Sequence, residues 1–126
     1  MLDRDEIDAL FPSDLPDADH WERHFPKRDL AAGKQVMRFC PSPTGAMHLG
    51  GIYVAMLDQA IARQSDGVYI IRIEDTDQER EVEGAAGDFD RILRWFGLTA
   101  DEFDGQGAYG PYTQSKRADI YMSYAR

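Results

Sequence analysis

The sequence has little cysteine, no long apolar run and no excess of positive charge. Cys40 is the one cysteine among 126 residues, so the chain forms neither an internal disulfide nor a cysteine-based zinc site. No stretch approaches the ~20 apolar residues that a membrane span needs. The acidic start of the chain also lacks the basic region and apolar core of a signal peptide. We therefore expect a cytoplasmic protein with no membrane partner.

Positive charge is scarce in the middle of the chain. The formal net charge is −9, and residues 66–104 hold 12 acidic and 4 basic side chains. A domain that binds nucleic acid by itself usually presents a basic face. The composition therefore argues against a self-sufficient nucleic-acid binder, and any RNA partner would need most of its phosphate contacts from elsewhere.

Residues 1–35 have the character of an appendage. A short helix is predicted near residues 3–11, followed by a proline-punctuated stretch without hydrophobic period. His20 and His24 have the spacing of a metal pair on a helix, but no third ligand is near them in the sequence. We therefore predict no metal site here, and we expect this N-terminal extension to pack over a neighbouring surface.

A strand, a helix and a second strand follow the extension. The strands are predicted at Gln35–Cys40 and Val68–Ile73, with a helix from His48 to about Gln64 between them. The second strand is almost continuously apolar, which indicates burial on both faces and a parallel sheet. Apolar residues recur along the helix with helical spacing, which predicts one buried stripe. The stripe comprises Leu49, Ile52, Tyr53, Met56, Leu57, Ala60 and Ile61.

A further helix is expected after the second strand. Thr76 and Glu79 have the spacing of a capping box, although the helix start can also lie a few residues later. Gly97 suits its end. Its apolar stripe comprises Val82, Ala85, Ala86, Phe89, Ile92, Leu93 and Phe96.

The remainder is predicted to be a loop over residues 98–112 and a last helix from about Thr113. That helix, with Ile120 and Tyr121 on its face, is still running at Arg126. Two parallel strands leave an open edge and uncovered apolar faces. We therefore expect the front part of a longer protein. The alternative is a small α/β domain that its own N-terminal segment completes.

The loop within RFCPSPTGAMHLGG, residues 38–51, carries the strongest functional signal. Prolines and a glycine bend the chain between strand and helix, and His48 stands where the helix begins. Gly50 and Gly51 follow in the first turn, where each costs about 1 kcal/mol relative to alanine. A helix N-terminus with a bare main chain and an imidazole favours an anion such as a nucleotide phosphate. The loop is neither a Walker loop nor a dinucleotide fingerprint.

A second signal is the RIEDTD segment at the end of the second strand. The carboxyl ends of parallel strands open into the ligand crevice of such sheets. Strand alternation places Arg72 and Glu74 on one face, beside the end of the first loop. Asp75 and Asp77 suit an acidic helix N-terminus as well as a ligand site. Arg38, inside an apolar strand, either meets an internal carboxylate or receives an anionic substrate.

Three segments in this order and spacing resemble a known family. RFCPSPTGAMHLGG (38–51), VYIIRIEDTD (68–77) and GPYTQSKRADIY (110–121) are similar to the start of the catalytic domain of bacterial-type glutamyl-tRNA synthetases, which are class I aminoacyl-tRNA synthetases. The resemblance covers about residues 36–126. It implies an α/β, partial Rossmann-like nucleotide-binding fold, truncated to its first half and preceded by the extension of residues 1–35.

The resemblance implies ATP-dependent activation of L-glutamate, with Mg²⁺ accompanying ATP, and transfer of the glutamyl group to tRNA(Glu). His48 is then the catalytic residue, in a His-Leu-Gly-Gly form of the first class I signature. By the family pattern the ATP side is lined by Thr44, His48, Gly50 and Gly51. On the glutamate side, Arg38 contacts the γ-carboxylate, while Ser42 and Glu74 hold the α-amino end.

Two departures from the family pattern stand out. Cys40 occupies a position where alanine is more usual, with little expected effect because mainly the backbone faces the ligand there. The second class I signature, of Lys-Met-Ser-Lys-Ser type, is absent from the 126 residues, and the main tRNA-binding parts of the family are missing. We therefore expect this chain alone to be close to inactive.

Other assignments are less compatible with the motifs. Glutaminyl and archaeal or eukaryotic glutamyl enzymes tend to have R-F-D-D-T-N in place of RIEDTD. The glutamyl-queuosine tRNA(Asp) synthetase is closer, but Thr76 departs from its more frequent isoleucine. Small nucleotidyltransferases share the helix start but lack the other two segments. A non-catalytic nucleotide-binding or interaction module remains the alternative of another class.

Overall fold

Seven helices and strands stand in the computed structural model, which describes residues 3–80, 82 and 84–126. They are α1 (Arg4–Asp8), α2 (Ala18–His24), β1 (Val36–Phe39), α3 (Leu49–Gln64), β2 (Val68–Ile71), α4 (Ala85–Trp95) and α5 (Ala118–Ala125). Short 3₁₀ helices occur at Gln78–Arg80 and Gln114–Arg117. No helix among the described residues is long and apolar enough to span a bilayer.

The chain divides into two compact units. One joins the segment up to Arg28 with Arg117–Arg126, and the other comprises Asp29–Lys116. In the first unit α2 packs with α5, where the Trp21 indole N–H donates to the Ser123 hydroxyl at 2.9 Å. Helix α1 is shorter than the predicted 3–11 helix. The prediction that this extension packs over a neighbouring surface is tested only within the first unit.

The larger unit contains the predicted parallel βαβ arrangement. Val36 lies opposite Val68, and Phe39 lies opposite Ile71, with α3 connecting the two strands. Both strands end earlier than predicted. Beyond the end of β2, Ile73 forms an isolated parallel bridge with Thr113, which belongs to a later segment of the chain and not to β1.

Strand β2 is buried on both faces, as its apolar run predicted. Tyr69, Ile71 and Ile73 belong to the main core cluster, which also includes Phe39 of β1. Ile70 points to the opposite face by strand alternation and is also buried. Strand β2 therefore has buried side chains on both faces, whereas in β1 only Phe39 is buried.

The prediction that the large apolar stripe of α3 is buried is wrong for all of its members except Ile52, which is partly buried against the core cluster. Leu49 is 79% exposed and Tyr53 is 56% exposed, whereas Ala55 and Ala62 are fully buried. Both alanines belong to the core cluster with the sheet residues. Small side chains let the helix lie close to the strands, because they bring its backbone nearer to the sheet than leucine or tyrosine would allow.

Helix α4 begins at Ala85, and the predicted capping-box start at Thr76 is wrong. Residues 78–80 form a 3₁₀ helix instead, and the Val82 N–H donates to the Pro43 carbonyl at 2.9 Å. Because this N–H is engaged by the first loop, it is not available to a helix begun at Thr76. The predicted helix also included residues 81 and 83, which lie outside the described residues.

The apolar stripe of α4 is partly confirmed. Ala85, Phe89 and Leu93 are buried, whereas Val82 and Phe96 at its ends are exposed. After Phe96 the chain turns through Gly97 with φ +75°, and the Leu98 N–H donates to the Leu93 carbonyl at 2.8 Å. This is a glycine-based C-terminal cap, as predicted for Gly97.

The segment between α4 and the last helix returns to the end of β2. The Ile73 N–H donates to the Tyr112 carbonyl at 2.8 Å, and the Gln114 N–H donates to the Ile73 carbonyl at 2.9 Å. These bonds hold Tyr112 and Thr113 beside the chain at Ile73, and the 3₁₀ helix Gln114–Arg117 follows them. For that reason α5 begins at Ala118 rather than near Thr113, and Ile120 is buried on its face while Tyr121 is 40% exposed.

Candidate functional site

The loop between β1 and α3 lies beside the carboxyl end of β2. The Arg72 N–H donates to the Phe39 carbonyl at 3.0 Å, and the Glu74 N–H donates to the Pro41 carbonyl at 2.9 Å. Pro43 is fully buried. These backbone bonds bring the loop and the RIEDTD segment together, which confirms the predicted neighbourhood.

His48 is the N-cap of α3. Its backbone is extended, and its Nδ1 accepts a hydrogen bond from the Gly50 N–H at 3.1 Å. An Nδ1 that accepts leaves the other ring nitrogen, Nε2, to carry a proton. Nε2 has no hydrogen-bond partner among the described residues, and the side chain is exposed. The imidazole is therefore fixed by its own helix and keeps a free donor.

The two glycines of the first turn have different surroundings. A Cβ added at Gly50 would lie 3.0 Å from two ring atoms of His48, which is closer than ordinary contact. A Cβ added at Gly51 would meet Met47 Cγ at 3.5 Å, an ordinary van der Waals distance. The capping imidazole thus explains glycine at 50, while packing alone does not explain glycine at 51.

A cavity of about 410 Å³ opens at this helix start. Four of the predicted site residues line it, namely Ser42, Thr44, His48 and Gly51. Arg38, Gly50 and Glu74 are not among its lining residues. Its volume lies in the range typical of small-molecule sites.

Sequence reasoning missed the apolar wall of this cavity. Phe39, Met47 and Phe89 contribute to its lining. Phe89 was assigned to the stripe of a core helix, and it is indeed 3% exposed. The helical spacing of apolar residues predicted that Phe89 is buried. It could not indicate that the ring also borders a cavity formed with the loop between β1 and α3, which lies far away in the sequence.

Arg38, Arg72 and Glu74 form a charged cluster beside the cavity. Arg38 Nη1 lies 2.5 Å from Glu74 Oε1, and Arg72 Nη2 lies 3.5 Å from the same oxygen. Glu74 Oε2 has no hydrogen-bond partner among the described residues. Arg38 therefore meets an internal carboxylate, one of the two outcomes that its position in the strand predicted.

Cys40 lies in the field of this cluster. Burial raises the pKa of its thiol, and Glu74 raises it further, while Arg38 and Arg72 act in the opposite direction. The net shift is upward, so the thiol is protonated at neutral pH. Cys40 therefore contributes no charge to the cluster.

Asp75 ties two of the sequence motifs together. It is 7% exposed, and it accepts hydrogen bonds from the Ser115 N–H at 2.8 Å and the Ser115 hydroxyl at 2.5 Å. Burial raises the pKa of this carboxyl, but the hydrogen bonds from Ser115, the backbone N–H of Asp75 itself and the charge of Lys116 together leave the pKa below its usual value. Asp75, adjacent to Glu74, therefore hydrogen-bonds to Ser115 within the fold and is not part of a helix N-terminus.

Comparison with known proteins gives a consistent result. A family model described as "tRNA synthetases class I (E and Q), catalytic domain" matches residues 34–126. The glutamate–tRNA ligase of Clostridium perfringens (strain 13 / Type A) is 43% identical over 122 residues, which cover 93% of this chain and 22% of that protein. The glutamate–tRNA ligase of Acetivibrio thermocellus is 47% identical over 124 residues, covering 94% and 23% respectively.

A solved structure is similar as well. It is a crystal structure of a glutamate tRNA ligase from Elizabethkingia meningosepticum CCUG26117 in complex with its amino acid. The TM-score is 0.69 at 44% sequence identity, and the match covers 73% of this chain and 18% of that one. The chain spans about a fifth of the length of the curated relatives that it matches.

Proposed function

Since the chain belongs to the family of class I tRNA synthetases for glutamate and glutamine, we propose that it provides the ATP- and glutamate-binding part of a glutamate–tRNA ligase. The Rossmann-like α/β class of its relatives and the parallel βαβ unit agree with this role. We further propose tRNA(Glu) as the acceptor and the cytoplasm as the compartment.

The observation that carries the proposal is the start of α3 at the cavity. His48 caps the helix through Nδ1 and keeps Nε2 free, while Gly51 leaves the main chain bare at the cavity wall. The dipole of a helix favours phosphate at its N-terminus. We therefore assign the phosphates and adenosine of ATP to Thr44, His48, Gly50 and Gly51, with His48 as the catalytic residue.

The charged cluster supports the glutamate side of the proposal. A guanidinium such as that of Arg38 pairs well with a carboxylate, here the γ-carboxylate of the substrate. Glu74 Oε2 is available for an ammonium group. Ser42, which follows Arg38 closely in the sequence, lines the cavity. We therefore assign the γ-carboxylate to Arg38 and the α-amino end to Ser42 and Glu74.

In the proposed reaction an α-carboxylate oxygen of glutamate forms a bond to the α-phosphorus of ATP. The bond from that phosphorus to the bridging oxygen breaks, and pyrophosphate leaves with the electron pair. Positioning and charge stabilisation dominate such phosphoryl chemistry. The Nε2–H of His48 supplies a donor for the charge that develops on the phosphate oxygens, and the dipole of α3 favours that charge at the N-terminus of the helix.

Magnesium is expected to enter with ATP. Across residues 3–80, 82 and 84–126, no group of three or more His, Cys, Asp or Glu side chains is arranged to hold a metal ion. Mg²⁺ often depends on substrate phosphates for its coordination, so it would reach this site bound to the phosphates of ATP.

Titration of the chain with ATP and with a nonhydrolysable glutamyl-adenylate analogue tests the proposal. We expect saturable binding of both, and a loss of about tenfold or more for His48→Asn, since a hydrogen bond to a charged group contributes about 1.5–3 kcal/mol. Asparagine also caps helices well, so the melting temperature is expected to stay near that of the wild type.

His24→Asn is the matched control, because His24 lies in α2 of the other compact unit. It should leave both affinities unchanged. Wild-type affinity in His48→Asn, or failure of the wild-type chain to bind either ligand saturably, would contradict the assignment of the nucleotide to the start of α3.

A further inference from the structure

The guanidinium groups of Arg38 and Arg72 both form ion pairs with the same oxygen of Glu74. Arg38 Nη1 is 2.5 Å from Oε1, and Arg72 Nη2 is 3.5 Å from the same atom. This sharing matters for the proposed function, because Arg38 is assigned there to a carboxylate of the substrate. When Arg38 turns to that carboxylate, Glu74 loses its shorter ion pair.

We propose that Arg72 is a positioning residue that holds Glu74 in place while Arg38 moves to the γ-carboxylate of the glutamyl group. The inference rests on the proposed function. Arg72 keeps its contact with Oε1, so that Oε2 stays directed to the ammonium of the ligand. Each charged group then has a partner after the exchange: Arg38 the ligand carboxylate, and Glu74 both Arg72 and the ligand ammonium.

The surroundings of the two arginines support this division of roles. The side chain of Arg72 is 24% exposed, against 38% for that of Arg38. The Arg72 backbone N–H is bonded to the Phe39 carbonyl at 3.0 Å, which anchors it at the sheet. Its Nε is buried and has no hydrogen-bond partner among the described residues. Arg72 is therefore the more enclosed of the pair, and Arg38 is the one with room to reorient.

Arg72 also lies outside the cavity assigned to ATP, since it is not among the lining residues. A role through Glu74 therefore predicts a selective effect. Loss of Arg72 should weaken a ligand that carries the glutamyl group and should leave ATP alone unaffected. A general loss of structure would weaken both.

The test is calorimetric titration of the wild-type chain and its variants with ATP and with the glutamyl-adenylate analogue. For Arg72→Gln we expect analogue affinity to fall about tenfold and ATP affinity to stay within twofold. Arg72→Lys, which keeps the charge, should recover most of the loss. Arg63→Gln is the matched control, because it removes an arginine from an ion pair with Asp101 instead, and it should leave analogue affinity unchanged.

A double-mutant cycle with Glu74→Gln separates positioning from direct contact. If Arg72 acts through Glu74, adding Arg72→Gln to Glu74→Gln should cost less than twofold further affinity. Full additivity, equal losses for both ligands, or wild-type analogue affinity in Arg72→Gln would overturn the role of Arg72. If the wild-type chain does not bind the analogue, the proposed function fails and this inference fails with it.

Discussion

A substitution at Gly51, in the first turn of α3, can separate the effect of a glycine on stability from its effect on ligand binding. At Gly51 an added Cβ would lie 3.5 Å from Met47 Cγ and 3.8 Å from Phe39 Cζ, both ordinary contacts. Alanine also has a higher helix propensity than glycine, by up to about 1 kcal/mol. We therefore expect Gly51→Ala to stabilise the protein and to raise its melting temperature by about 3–6 °C.

The same substitution should impair nucleotide binding. Gly51 lines the cavity, so a methyl group there occupies space that the proposed site leaves to ATP. Forcing an extra methyl group into a closely packed contact costs about 1–3 kcal/mol, which corresponds to a loss of about 5- to 150-fold in affinity. Gly51→Ala should therefore be more stable than the wild type and bind ATP more weakly.

Thermal melts followed by circular dichroism and ATP titrations on the same samples measure both effects. Gly87→Ala is the control, because Gly87 lies in α4, has no atom within 4 Å of an added Cβ and does not line the cavity. It should gain stability and keep wild-type ATP affinity. If Gly51→Ala binds ATP as tightly as the wild type does, the nucleotide does not approach the first turn of α3. The assignment of Gly51 to the ATP site is then refuted.

Two further outcomes are expected. Because the pKa of Asp75 lies below its usual value in the fold, its ionised form contributes stability above the unfolded pKa of about 3.8, and this contribution disappears as the pH falls through the lower folded-state value. Ser115→Ala should thus lower the melting temperature at pH 7, and the difference from the wild type should shrink as the pH falls below 3.8 and through the folded-state pKa of Asp75. A difference in melting temperature that does not depend on pH would contradict the role of the hydroxyl hydrogen bond. The chain alone should give negligible glutamate-dependent ATP–pyrophosphate exchange, with or without tRNA, since its sequence lacks the second class I signature; robust exchange would contradict this expectation.

The parts of the site that sequence reasoning located share a local origin. Strand β1, the loop and the capped start of α3 follow one another within RFCPSPTGAMHLGG, so their proximity is fixed by chain connectivity. Alternation along the strand likewise placed Arg72 and Glu74 on one face, as their ion pair shows. The tie from Asp75 to Ser115 bridges 40 residues, and no local pattern identifies such a partner.

Helix α3 shows why a correct helix assignment does not identify the buried face. Its sequence offers two apolar sides, one with large side chains such as Leu49 and Tyr53 and one with Ala55 and Ala62. Hydrophobic periodicity gives large apolar side chains more weight than alanine, so it predicted burial of the face that carries the large side chains. Packing on a parallel sheet depends instead on how closely the helix backbone can approach, which favours small residues. The same small side continues to Gly51 at the cavity wall, so the face that the helix presents to the sheet also leads into the candidate nucleotide site.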